Sequence, residues 1–257
     1  MMKKIILHIF VLLTCFSAAA QDFLTKGSIE FEVKLNTKRM FEEMTKGKED
    51  RMMMMGGGEG PEFYVTKKQL LFNGDKTLYR RSGSDPFMGG EGTSVFTDIS
   101  AGIATFKGSS ITTDKVFEDS IRRLRWKIDD ETRVIAGFKC RKAVGVMMDS
   151  IYVVAFYCPE IVPQGGPEFF AGLPGMILGL AIPRMYTTWF ATKVQLEVDE
   201  KLLVAPVPAK KEKVYSISEA REAYRKEMGS FLRTNVHNDE IDLTMKGLGG
   251  SGIFRRP

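Results

Sequence analysis

The sequence predicts a mainly β protein: a curved antiparallel sheet, a sandwich or an open barrel, with one packed amphipathic helix near the C-terminus. Three observations predict it. Several stretches alternate apolar and polar residues with a period of two, the pattern of a half-buried strand. Turn signals recur at intervals of roughly eight to twelve residues, as in antiparallel sheets. Strands do not alternate with helices, and neither a Walker motif nor a Gly-x-Gly-x-x-Gly between a strand and a helix occurs, which argues against a nucleotide-binding α/β fold. A hydrophobic content of 44% with 27% charged residues suits a globular chain and excludes disorder or coiled coil as the main state.

Residues 1–20 read as a cleavable signal peptide. Lys3 and Lys4 precede an apolar run over 5–16, and Ala18 and Ala20 stand three and one positions before the Ala20–Gln21 bond. The run is shorter than the roughly 20 residues that span a bilayer, and no later stretch approaches that length. Leu12-Leu13-Thr14-Cys15 offers a lipoprotein alternative, but Thr14 suits that signal less well than the downstream alanines suit cleavage. Loss of two lysines lowers the formal charge from +5 to +3, too mild and too mixed to point to nucleic acid. An exported protein, periplasmic, outer-membrane associated or secreted, with no transmembrane segment after signal removal, is expected.

Residues 21–245 then form one β-rich domain. In 28–36, Ile29, Phe31, Val33 and Leu35 alternate with charged residues as a strand. An insertion at about 37–61 opens with a short amphipathic helix after Thr37 and ends in Met52–Met55 and Gly56-Gly57-Gly58. Strands are expected at 63–72 and 77–81 around Asn73-Gly74, a tight-turn signal, and at 94–97, 103–107 and 115–118. Leu124, Trp126 and Ile128 alternate with Arg123, Arg125 and Lys127 as a further strand. Then come 133–146, 151–158, 176–182, 187–198 and 202–207. A helix over 217–232 carries a capping box, Ser216 with Glu219, and apolar Ile217, Ala220, Tyr224, Met228 and Phe231 at helical spacing. The glycine-rich 246–257 reads as a loose tail.

If 133–146 and 151–158 pair about a turn at Met148-Asp149-Ser150, paired positions sum to 298 and Cys140 faces Cys158. Export favours a disulfide there, contributing about 3 kcal/mol in the chain-entropy model. Once His8 leaves with the signal, His237 is the sole histidine, which leaves a Ser–His–Asp or Cys–His enzyme one loop imidazole. The sequence carries no clustered ligands of the zinc type, and no cofactor is expected. Met40, Met44 and Met52–Met55 are soft donors suited to Cu(I), but they lack a neighbouring histidine and read better as an adaptable apolar patch.

One segment stands out. From Gly165 to Leu178 the chain sets glycines and prolines around Phe169 and Phe170, and Leu173-Pro174-Gly175 suits a type II turn. It reads as a structural corner or as a rigid apolar loop that docks a partner. The candidate contacts are Gly166, Pro167, Phe169, Phe170, Gly172, Leu173, Pro174 and Gly175.

This segment resembles the signature of the GLPGLI family of exported proteins from Gram-negative envelopes, as Gly172-Leu173-Pro174-Gly175-Met176-Ile177, with Met176 for the family's leucine. Upstream, Ile135-Ala136-Gly137-Phe138 with Cys140 and Lys142-Ala143, then Phe156-Tyr157-Cys158, Ile161, Gly166-Pro167 and Trp126, are similar to the family's pattern over about 120–182. Cys158 stands where a threonine is usual and Phe156 where a tryptophan is, so the Cys140–Cys158 bridge would be a local feature. The resemblance implies export and an all-β fold. It brings no catalytic residues.

The functional expectation is a non-enzymatic periplasmic protein that docks an outer-membrane or secreted partner through this loop, with Leu173→Asp abolishing capture without unfolding. The alternatives are a lipid or lipoprotein carrier with an apolar cavity, and a hydrolase using Glu160 and Glu168 beside Tyr157.

Overall fold

The computed structural model describes residues 23–45, 60–82, 93–107, 115–121, 124–208, 210 and 212–228. The expected signal peptide, Met52–Met55, His237 and the expected tail lie outside the described residues.

Twelve strands form the body: β1 (Lys26–Asn36), β2 (Phe63–Asn73), β3 (Lys76–Arg81), β4 (Ser94–Asp98), β5 (Ile103–Lys107), β6 (Val116–Ser120), β7 (Lys127–Ile135), β8 (Phe138–Met147), β9 (Ile151–Cys158), β10 (Met176–Ile182), β11 (Thr187–Gln195) and β12 (Val214–Ser216). Two helices join them, α1 (Thr37–Thr45) and α2 (Ile217–Met228). All the strands lie in one open, curved sheet, in the order β12-β6-β5-β4-β3-β2-β1-β11-β10-β9-β8-β7. Of the forms expected, the molecule takes the open curved sheet. Two meanders meet at the centre, where β1 pairs with β2 on one side and β11 on the other, both antiparallel. Among these strands only the short β12 pairs parallel, against β6.

The register explains the core. Ile29, Leu70, Tyr79, Val95, Phe106 and Phe117 stand opposite one another across β1 to β6, and Val33, Trp189, Leu180, Ala155 and Ala143 continue the same face across β1 and β11 to β8. Every one of these residues is buried. The sheet curls about this inner face. β3 and β10 are four strands apart in the order, about 19 Å in a flat sheet. Yet a Cβ on Gly165 would lie 3.0 Å from Thr77 of β3 and 3.8 Å from Met176 of β10. One small residue therefore bridges the hollow.

Most expected elements form. The β8–β9 register is the predicted one: Arg141 faces Tyr157 and Met147 faces Ile151, each pair summing to 298. Met148 and Asp149 turn there with φ of 52° and 61°. The capping box of α2 is complete, since the Glu219 N–H donates to Ser216 Oγ at 3.3 Å and the Ser216 N–H donates to Glu219 Oε2 at 2.9 Å. Ala220 and Tyr224 are its buried face. In α1, Asn36 Oδ1 accepts from the Arg39 N–H, so the helix is capped one residue before Thr37.

Three expectations about the strands fail. Residues 133–146 are not one strand: Ala136 and Gly137, at φ 50° and 87°, turn the chain between β7 and β8. Leu124 and Trp126 precede β7 rather than lie in a strand, because the Trp126 ring covers Gly145 on the inner face. Residues 202–207 join no ladder, while the three-residue β12, too short to show a period, does.

Candidate functional site

The site is built on the inner face, under the segment between β9 and β10. Its ends are tied together: the Gly172 N–H donates to the Gln164 carbonyl at 3.1 Å, and the Ile177 N–H donates to the Gly165 carbonyl at 2.9 Å. The intervening residues push into the hollow. Phe169 stacks on Phe170, with centroids 4.9 Å apart, and meets Phe106 of β5 edge-on at 6.4 Å. Trp126 Nε1 donates to the Ala171 carbonyl at 3.1 Å and fixes the far end.

Glycines let the loop lie flush on the sheet. A Cβ on Gly166 would stand 2.8 Å from Ile177 Cβ, and one on Gly175 only 2.2 Å from the Cys158 carbonyl oxygen. Gly175 also sits at φ 140°, so both space and conformation demand glycine. The expected type II turn is replaced by a tighter one, in which the Gly175 N–H donates to the Leu173 carbonyl at 2.8 Å across Pro174. Proline's fixed φ suits the centre of such a three-residue turn.

Most of the candidate contact residues therefore face inward. Gly166, Pro167, Phe170, Leu173 and Gly175 are buried, Phe169 and Gly172 are half-buried, and Pro174 is exposed. Leu173 is 1% exposed, so Leu173→Asp perturbs the core itself and does not isolate partner capture.

At the centre of the loop is Glu168, in the left-handed region at φ 55° and 3% exposed. Its Oε1 accepts from Lys68 Nζ of β2 at 2.8 Å and from Trp189 Nε1 of β11 at 3.1 Å. The Lys68 ammonium also lies 5.1 Å from the centroid of the Tyr79 ring of β3. Glu168 Oε2 and Tyr79 Oη are buried and have no hydrogen-bond partner among the described residues. Burial, and then the negative charge of Glu168, push the Tyr79 phenol well above its ordinary range, so it stays protonated. Arg81 stands opposite Lys68 in the β2–β3 register. A lysine ammonium and an indole N–H thus hold one carboxylate on an otherwise apolar face, with a buried phenol beside the lysine. Sequence reading reached Glu168 as part of a hydrolase alternative. It missed Lys68, Tyr79 and Trp189, which in sequence are ordinary residues of expected strands.

The carboxylates of that alternative lie in different surroundings. Glu160 follows β9, where its carbonyl accepts from the Leu24 N–H at 2.8 Å, and Tyr157 is buried in the sheet. Cys140 and Cys158 take the opposed positions the register dictates, but they are free buried thiols, so the expected disulfide is not formed. Opposition is necessary for a bridge and not sufficient. Cys140 Sγ instead donates to the Phe138 carbonyl at 3.5 Å. Hydrogen bonding between the thiols, then burial, pushes Cys140 up, and the same bond lowers Cys158.

No family model matches the chain, and no curated protein does. Two crystal structures of PNGF-II are similar in fold. The C2 form superposes with a TM-score of 0.50 at 14% identity, over 79% of this chain and 32% of that one. The P21 form gives 0.53 at 15% identity, over 79% and 34%. This chain thus spans about a third of the length of PNGF-II. At such identity the likeness is one of fold.

Proposed function

We propose that the protein is a non-enzymatic binding protein of the Gram-negative envelope whose curled sheet takes an apolar ligand on its inner face, with the 164–175 loop as the cover of that face. This is the carrier alternative, now favoured over docking by the loop. The observation that carries the reading is the loop's mode of attachment. An open sheet needs its apolar face covered, and a cover meant only to complete a core is expected to be apolar throughout. Here the cover is held at its centre by an ion pair whose carboxylate is buried, which contributes little net stability compared with apolar side chains of similar size. A polar anchor of this kind favours a specific, reversible position over maximal packing. The signal-like N-terminus supports export, and the close approach of Gly175 to Cys158 gives a physical reason for a GLPGLI-type signature, which supports membership of that family.

Native mass spectrometry of the mature protein, purified gently from the cell envelope, tests the reading. The expected result is a bound lipid-sized mass that disappears under mild activation. Repeated recovery of the bare chain from envelope extracts, with the 164–175 amides as slowly exchanging as those of β1 and β11, would overturn it. A second reading, docking of an envelope protein at the loop's rim, rests on the exposed Pro174 and half-buried Gly172, and co-purification of a protein instead of a lipid would favour it.

A further inference from the structure

The groups that hold Glu168 do not belong to the loop. Lys68 comes from β2 and Trp189 from β11, while the Tyr79 ring of β3 lies against the Lys68 ammonium, all at or near the central strand β1. These strands are fixed by their ladders, so the donors stay in place whatever lies over them. They form an anion site preorganised on an apolar floor, and the loop supplies the anion. Beyond Glu168 the chain runs through Phe169, Phe170, Ala171 and, past Gly172, Leu173, and this apolar stretch covers Phe106 and its neighbours. The loop therefore offers the sheet a carboxylate joined to an apolar body. It does so at a cost, with a non-glycine residue in the left-handed region and one carboxylate oxygen unpartnered although buried.

We propose that the loop stands in for the ligand, and that the ligand is a carboxylate amphiphile of the long-chain fatty acid class. Its carboxylate takes the place of Glu168 on Lys68 Nζ and Trp189 Nε1, with the Tyr79 hydroxyl available to the second oxygen. Its chain takes the ground of Phe169 and Phe170 over the β3–β6 part of the inner face. The inference rests on the reading that the inner face binds an apolar ligand, and names the head group that it selects. A carboxylate is preferred over a neutral head because the Lys68 ammonium is left without its counter-charge once Glu168 withdraws.

The test is competition binding at neutral pH on the mature protein, with cis-parinaric acid as the fluorescent probe and palmitate or hexadecanol as competitor. The proposal expects palmitate to compete at least about tenfold better than hexadecanol, the size of one charge-assisted contact. Glu168→Gln keeps the loop's shape and removes its charge, so the apparent affinity for palmitate should rise by about tenfold as the competent state becomes populated. The double variant Lys68→Met with Glu168→Gln leaves no unpaired buried charge, and its melting temperature serves as the folding control. It should lose the preference for palmitate while still binding both competitors weakly. Equal competition by the two, unchanged in the double variant, would overturn the head-group proposal and leave the apolar-ligand reading standing. No probe binding to either the wild type or Glu168→Gln would overturn both.

Discussion

The loop over the inner face and the β7–β8 hairpin at the sheet edge use the same kind of contact to opposite effect. Each rests on a lysine–glutamate pair: Lys68 with Glu168 under the loop, and Lys142 with Glu131 on the hairpin. In the first, the side chains are 15% and 2% exposed; in the second, 24% and 54%. Water screens the hairpin pair, and Asp129 lies close enough to Lys142 to replace Glu131. Under the loop, burial denies either charge such a substitute, so each depends on the other. The acids Asp129, Asp130 and Glu131 sit where the β7–β8 register slips between Ile128 and Thr132, on the outermost strand of the sheet among the described residues, where charge disfavours pairing with another chain. Distance alone does not rank ion pairs; what surrounds them does.

Removing Glu168 should have the largest effect. Glu168→Ala leaves the largely covered Lys68 without its partner and should cost about 3 kcal/mol or more, read from denaturant unfolding. If Glu168→Ala and Glu131→Ala cost the same, the contrast between the two regions is broken. Gly175→Ala comes next. The Cβ has no room beside the Cys158 carbonyl, and a loss of about 3 kcal/mol or more is expected, against no more than about 0.5 kcal/mol for Gly60→Ala, whose Cβ meets nothing within 4 Å. Trp126→Phe keeps the ring over Gly145 and removes the hydrogen bond to Ala171, for about 1–2 kcal/mol and faster exchange of the loop amides. On the hairpin, Glu131→Gln should cost at most about 1 kcal/mol and vanish in high salt.

The smallest effects are chemical. Without reductant, a chain beginning at Gln21 should show two thiols to a disulfide reagent after denaturation and almost none before, since both cysteines are buried; none after denaturation would reveal a bridge. Glu219, held at about 2 chiefly by the Lys213 ammonium and then by Ser216, is a carboxylate with a depressed folded value. Its contribution to the start of α2 is present above its unfolded value of about 4.3 and fades as the pH falls toward 2. A Glu219→Gln variant should lose that part of the acid dependence, followed by helix circular dichroism.

Alternation located β1, and apolar runs bounded by turn signals located β2 to β6, β9, β10 and most of β11, because both patterns are written in neighbouring residues. Local pattern also set the β8–β9 register, since a turn at Asp149 leaves one pairing. The capping box of α2 was legible because both partners lie within four residues. The turn at Ala136-Gly137 was not, for lack of the Asn or Asp that usually marks such a turn. Glycines, prolines and two phenylalanines announced a rigid loop between β9 and β10. They could not say whether its aromatics point to water or to the sheet, because that depends on the sheet curling far enough for Gly165 to meet Thr77.

The candidate site shows the same division. Lys68 lies 100 residues before Glu168 and looks in sequence like any charged residue in a strand. Composition and pattern determined that this chain is mainly β and built around a glycine-bound corner, since those properties depend on local residue chemistry. The tertiary structure alone decided that the corner is a cover, that its carboxylate rests on a lysine and an indole, and that the opposed cysteines stay unbridged. Each of those is a distance between residues remote in sequence, and such distances are set by the curvature of the whole sheet.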